Sequence, residues 1–432
     1  MRILSILLLI VFAMPIIADA QSPKEFAAAW DESHISNIFP SNVRHKDIQN
    51  YVKKLGELGL KTREVGRSYG DREIYEVEWG KGPTKVFMWS QMHGDEPTAT
   101  SGAIDMLAFL QTKRDKYEWI KKLEQKLTIR FVPMLNPDGA ELFQRRNLQS
   151  IDINRDARNL QTPEGRLLKQ LRDDWKPDFG FNLHNQNELT TVGSSFRQAT
   201  ISLLAVSGRE DGSTYPGHER NKRICSLMIE ALKQFIPGNI ARYEDDYNPR
   251  AFGDMISAWG TPVILIETGG HHGKDEMFLI RLNFIALMTA LQSMVDGTQD
   301  SADAKIYERL PFNDTGNIYN YIFRKANVIN FRETATPYVA DIAINRERRR
   351  QEQLAPVFVR EVGDLSIFKG LEEIDASGYN VVVPDGMLRI GSRGHLLFYK
   401  KDRKVNWKSD NLAEEFPPDG EFLNGVWLKK LP

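Results

Sequence analysis

Three stretches of this chain carry side chains that chemistry can use. His93-Gly-Asp-Glu96 sets an imidazole and a carboxylate three residues apart, His184 follows the apolar run Phe179-Gly-Phe-Asn-Leu183, and Glu267 follows Val263-Ile-Leu-Ile266. Two imidazoles and a carboxylate are donors of the kind that hold a catalytic zinc ion and leave one position open for water. A carboxylate at the end of an apolar strand is costly to bury without a partner, which marks Glu267 as a metal- or proton-competent group rather than filler. Between these stretches lies a second polar segment, with Asn136-Pro-Asp-Gly139, Arg145-Arg146-Asn147 and Asp152-Ile-Asn-Arg155. Guanidinium forks bind carboxylates through paired hydrogen bonds, so this segment suits an anionic part of a substrate.

The elements that must position these groups alternate along the chain. Apolar runs at 85–89, 127–133, 179–183 and 261–266 predict strands, and amphipathic stretches at 98–111, 163–174, 219–235 and 275–296 predict helices. This alternation predicts an α/β fold, a mostly parallel, mixed, twisted sheet with helices on both faces. Ligands bind such sheets beyond the carboxyl ends of the strands, where His93, His184 and Glu267 fall. After a polar stretch at 296–303 the texture changes to short strands separated by charged loops, which predicts a small β-rich C-terminal domain. The expected division is 1–20 as an export signal, 21–298 as the α/β domain and 299–432 as the β-rich domain.

In this order and spacing the motifs resemble those of the zinc metallocarboxypeptidases of the carboxypeptidase A-like superfamily, over residues 51 to 291. The resemblance implies that His93, Glu96 and His184 hold one zinc ion, and that Glu267 is the general base and passes its proton to the leaving amine. It implies that Arg145, favoured over Arg146 by its nine-residue spacing from Asn154, polarises the scissile carbonyl. It further implies that Asn154 and Arg155 clamp the terminal carboxylate of a peptide substrate, and that a tyrosine about twenty residues before the base closes over it. Tyr247, beside Asn248-Pro249, is favoured for that place over Tyr243. The departing side chain is expected near Arg250–Asp254, where an acidic Asp254 favours a basic residue and Phe252 an apolar one. His271 and His272 are expected to be loop residues beside the site. The C-terminal segment bears a fainter resemblance to the small β-domain of amidohydrolases, without a second metal pair.

The implied function is a zinc-dependent exopeptidase that hydrolyses the C-terminal peptide bond. Two alternatives stand beside it: a zinc amidase or deacylase acting on cell-wall peptides or acylated amino acids, and an inactive binding module. Lys plus Arg number 57 against 58 Asp plus Glu, so no global field points to nucleic acid. Met1-Arg2, an apolar run to Ile17 and Ala18-Asp19-Ala20 form the three parts of a secretory signal, and no later stretch is read as membrane-spanning. The expected location is therefore periplasmic or extracellular, with the fold resting on its own core because Cys225 has no partner for a disulfide. The basic run at 346–350 is expected to be a solvated face.

Overall fold

The computed structural model describes residues 21–334 and 336–431, so the expected export signal lies outside the described residues. The first sheet has strands β1 (Lys61–Arg67), β2 (Glu73–Gly80), β3 (Thr84–Ser90), β4 (Leu127–Val132), β5 (Phe179–Asn185), β7 (Ile201–Val206), β8 (Ile240–Arg242) and β9 (Val263–Thr268), with a two-residue β6 (Thr191–Val192) outside it. Their order is β1-β2-β4-β3-β5-β9-β7-β8. The centre, β4-β3-β5-β9, is parallel, whereas β1, β2 and β7 run antiparallel to their neighbours towards the centre. Central strands buried on both faces need continuous apolar runs, and β5, β7 and β9 are buried at every position.

The helix Pro163–Trp175, which leads into β5, is capped at its start. Thr162 accepts a hydrogen bond from Gly165 N–H at 3.0 Å, and Pro163 occupies the first turn of the helix Pro163–Trp175, where its missing N–H costs nothing. Helices Thr98–Lys113, Pro216–Leu232 and Glu276–Asp296 cover one face of the sheet around a large core that includes Met88, Phe181 and Ile266. Helices Pro163–Trp175 and Phe252–Ala258 cover the other face around Phe87, Trp89 and Leu168. The helix Glu276–Asp296 is long and apolar enough to cross a membrane by composition, a property missed in the sequence. Here it is a core helix, with Ile280, Phe284 and Leu287 fully enclosed.

The first core continues through Tyr307, and a second sheet begins soon after. It comprises β11 (Ile318–Val328), β12 (Tyr338–Arg346), β13 (Val357–Gly363), β14 (Lys369–Asp375), β15 (Tyr379–Val382), β16 (His395–Lys400), β17 (Gly420–Leu423) and β18 (Val426–Lys429). A short β10 (Asn313–Asp314) joins the two parts by pairing with β6. Phe323, Phe398 and Phe422 form an aromatic core of edge-to-face and tilted contacts that gives the second sheet its own stability.

Between β12 and β13 the chain leaves its own sheet and crosses to the first domain. Arg350, read in the sequence as part of a solvated face, is instead 3% exposed. Its guanidinium donates to the carbonyls of Ser41, Val43, Ala140 and Glu141 at 3.2, 3.4, 2.6 and 3.0 Å. Four carbonyls satisfy a planar fork, so a buried cation is held without a carboxylate.

Candidate metal centre and substrate cleft

The turn after β3 is tight, with Glu96 N–H donating to His93 carbonyl at 3.2 Å. Gly94 sits where this turn meets the loop at 136–139. A Cβ on Gly94 would lie 1.9 Å from the carbonyl carbon of Gly139, so only glycine lets the loops close to this distance. Asn136 braces the junction. Its side-chain carbonyl accepts from Gly139 N–H at 2.8 Å, and its amide donates to the carbonyls of Met92 and Arg145 at 3.2 and 3.3 Å. The Asn-Pro-Asp-Gly turn therefore ties the loop of His93 to the loop of Arg145.

His184 and Glu267 lie within strands rather than beyond them, as the last positions but one of β5 and β9. They are direct partners in the parallel ladder. His93, Glu96 and His184 are all buried, and their donor atoms lie within 4.8 Å of one another. Glu96 Oε1 is 2.9 Å from His93 Nδ1, and its Oε2 is 2.7 Å from His184 Nδ1. The two Nδ1 atoms face each other at 3.1 Å. Zinc–nitrogen bonds of about 2.0–2.1 Å place two donors roughly 3.3 Å apart in a tetrahedron, close to this separation. Two imidazole lone pairs and a carboxylate converging in a buried space fit a cation.

Asp152 is the residue that the sequence reading left without a role. It faces His93 Nε2 at 3.1 Å and accepts from Arg145 Nε at 2.9 Å, orienting the imidazole from outside. Only its place in the Asp-Ile-Asn-Arg run marked it. Arg145 Nη1 lies 3.2 Å from Glu96 Oε1, whereas Arg146 turns away to the carbonyl of Ser150.

Glu267 is buried, and its Oε2 has no hydrogen-bond partner among the described residues. Burial, reinforced by the nearby Glu96 charge, pushes its carboxyl well above the usual range. His93, Glu96, Arg145 and Glu267 open on one cavity of ≈1020 Å³ that also takes in Asn154 and Arg155, with His184 enclosed behind Glu96. Arg155 is exposed, with one donor on the carbonyl of Asn154, while Asn154 accepts from Phe252 N–H at 2.9 Å.

The structure separates the two tyrosines. Tyr243 continues the ladder beyond β8 through its N–H to Leu203 carbonyl and lines the cavity, where burial and the Glu267 charge push its phenol up to about 12. Tyr247 is not brought into that lining, and its hydroxyl lies 3.9 Å from Met255 Sδ. Phe252 is likewise enclosed in the core, whereas Asp254 lines the cavity. His271 lies against Thr200 Oγ1 at 2.8 Å, and neither it nor His272 joins the metal group.

A buried imidazole–carboxylate–imidazole group at the carboxyl edge of a mixed sheet, with a lone carboxylate and arginines lining the adjoining cavity, can hold a metal ion beside a proton carrier. Residues 58–205 match the family described as zinc carboxypeptidase. The matched segment holds His93, Glu96, Arg145, Asn154, Arg155 and His184 and ends before Glu267. Carboxypeptidase 2 of Trichophyton rubrum is 33% identical over 169 residues, covering 36% of this chain and 30% of that protein. The carboxypeptidase N catalytic chain of Homo sapiens is 26% identical over 151 residues, covering 29% and 33%. The chain thus spans about a third or less of the length of these curated relatives. Among solved structures it is similar to a metallo-carboxypeptidase from Burkholderia cenocepacia, with TM-score 0.48, 16% identity and coverage of 58% of this chain and 69% of that one. It is also similar to thrombin activatable fibrinolysis inhibitor, with TM-score 0.49, 13% identity and coverage of 63% and 82%.

Proposed function

We propose that the protein is a zinc metallocarboxypeptidase that releases single residues from the C-terminus of peptides. The carrying observation is the convergence of the His93, Glu96 and His184 donor atoms, with His93, Glu96, the Glu267 carboxylate and Arg155 lining one cavity. Zinc held by the first three supplies Lewis-acid charge and lowers the pKa of water towards neutrality. Arg155, exposed and with donors to spare, takes the terminal carboxylate, assisted by the Asn154 amide. Arg145 has Nε and Nη1 engaged, which leaves Nη2 for the scissile carbonyl, where a fixed cation stabilises developing negative charge. Glu267 accepts a proton from the attacking water and delivers it to the leaving nitrogen. Its raised affinity for protons suits both steps.

The downstream wall of the cavity is acidic. Glu244, Asp245, Asp246 and Asp254 all contribute to it, and Asp254 is driven to about 7 by burial and the neighbouring Asp245 charge. A cationic side chain relieves that repulsion, so a C-terminal Lys or Arg is the residue this reading expects to be released. Export after Ala20 belongs to the same reading and is supported by the basic, apolar and small-residue pattern at 1–20.

The test is a peptide panel ending in Lys, Arg, Phe or Glu, incubated with the zinc-loaded chain and followed by mass spectrometry. Loss of one terminal residue is expected, fastest for Lys or Arg. Internal cleavage, or reaction only with acylated amino acids or cell-wall fragments, would overturn the reading. A mature N-terminus at Gln21 in exported protein checks the export step.

A further inference from the structure

The segment joining β12 to β13 belongs by chain to the second domain and by contact to the first. Besides Arg350, Gln351 N–H donates to Ser41 Oγ and Glu352 N–H to Asn42 Oδ1, both at 3.0 Å. Arg44 Nη2 closes the far side on Glu352 Oε1 at 2.8 Å. The segment is thereby fixed as a strap against the first domain, and its residues line the cavity that Glu267 also lines.

Its arginines differ in what they have to do. Arg350 is used as the anchor, Arg346 donates to Tyr321 Oη at 2.6 Å, and Arg349 pairs with Glu347 at 3.4 Å. Arg348 is exposed, lines the cavity and has no hydrogen bond or ion pair among the described residues. Its guanidinium lies 5.8 Å from the ring centre of Phe143, a contact that limits its sweep without neutralising it. Of the other carboxylates at this end of the cavity, Glu347 is paired with Arg349 and Arg360, while Glu188 and Glu276 accept from the neutral Asn320 and Ser41 and keep their charge.

Acids gather around Asp254, and at the other end of the cleft the strap adds Arg348, whose charge is felt by Asp95 and Glu267 although it is paired with neither. A peptide whose last carboxylate sits on Arg155 and whose last side chain faces Asp254 runs, before the scissile bond, past Glu267 towards the strap. Leu354 and Val426, 79% and 50% exposed on the same cavity, offer apolar surface for the stems of those preceding residues.

We infer that the strap is an upstream substrate-binding arm and that Arg348 selects peptides with an acidic side chain in the two positions before the released residue. The inference rests on the carboxypeptidase reading for the direction of the bound peptide.

The experiment uses the full zinc-loaded chain and pentapeptides with one fixed C-terminal residue, carrying Glu, Gln or Lys at each of the two preceding positions. Wild type is expected to favour Glu over Gln by about ten-fold in kcat/KM at one of them, the scale of one charge-assisted hydrogen bond. In Arg348→Gln that ratio falls to within about two-fold, and in Arg348→Glu the preference turns to Lys. Equal rates for Glu and Gln peptides in wild type, or a ratio unmoved by Arg348→Gln, overturn the inference while leaving the carboxypeptidase reading intact. Calorimetry of the same peptides on Glu267→Gln separates the reverse case. Arg348-dependent affinity for the Glu peptides without any hydrolysis by wild type would uphold the arm and overturn the proposed reaction. A purely structural Arg348 changes thermal stability but not the Glu-to-Gln ratio.

Discussion

The metal centre and the strap beside its cavity place their key groups by opposite means. His184 and Glu267 form one rung between two fully buried parallel strands, so their positions are dictated by the sheet. Arg348 stands on an irregular segment held by one buried arginine and a few loop hydrogen bonds. In the proposed reaction, the geometry needed for bond cleavage is built into rigid elements, whereas the proposed selection is left to a segment that can vary without disturbing the sheet.

Substitutions at the sheet edge are expected to have the largest effects. His184→Ala removes a donor from a three-ligand site, so zinc measured on the purified variant should fall below one tenth of a mole per mole, an estimate of roughly full loss. Retained full occupancy would take His184 out of the site and blur the contrast. Glu267→Gln should keep zinc and lower kcat by about 10²–10⁴-fold, the usual worth of a positioned proton carrier. Activity within a factor of about ten of wild type would show that another group moves the proton.

Arg350→Met tests the other side of the comparison. It leaves buried carbonyls of Ser41, Val43, Ala140 and Glu141 without their donor and should cost roughly 3 kcal/mol in urea unfolding. A stability unchanged from wild type would mean that water replaces the guanidinium and the strap is loosely held. Asp254 yields the smallest effect and a pH signature. Its carboxyl is neutral below about 7 and charged above it, so kcat/KM for a peptide ending in Lys should rise with pH through that value. The sign follows because a proton on Asp254 removes the negative charge that a C-terminal cation seeks. Asp254→Asn should flatten the rise and reduce the Lys-over-Phe preference by about ten-fold, measured by competing the two peptides.

The sheet edge was legible in the sequence because its requirements are local. Rare donor types stand at the ends of apolar runs, and the Asn-Pro-Asp-Gly turn stands between them. Three features were not. The apolar run of β7, Ile201–Val206, enters the sheet antiparallel, which no residue within it signals. The Asn248-Pro249 neighbour pointed to Tyr247, but the backbone bond from Tyr243 to Leu203 decides which ring meets the cavity. The strap failed for a different reason. A run of arginines has the composition of a solvated face, and the carbonyls that bury Arg350 lie 210 and 309 positions away along the chain. Burial of that kind is a property of the tertiary fold alone.

The pairing of His184 with Glu267 also limits how this molecule can change over evolutionary time. Side chains alternate between the faces of a sheet, so one residue inserted into or deleted from β5 or β9 would send either group through to the opposite layer. Length differences among descendants of this chain must then gather in the connections, and among those the strap is a ready site for change in substrate choice.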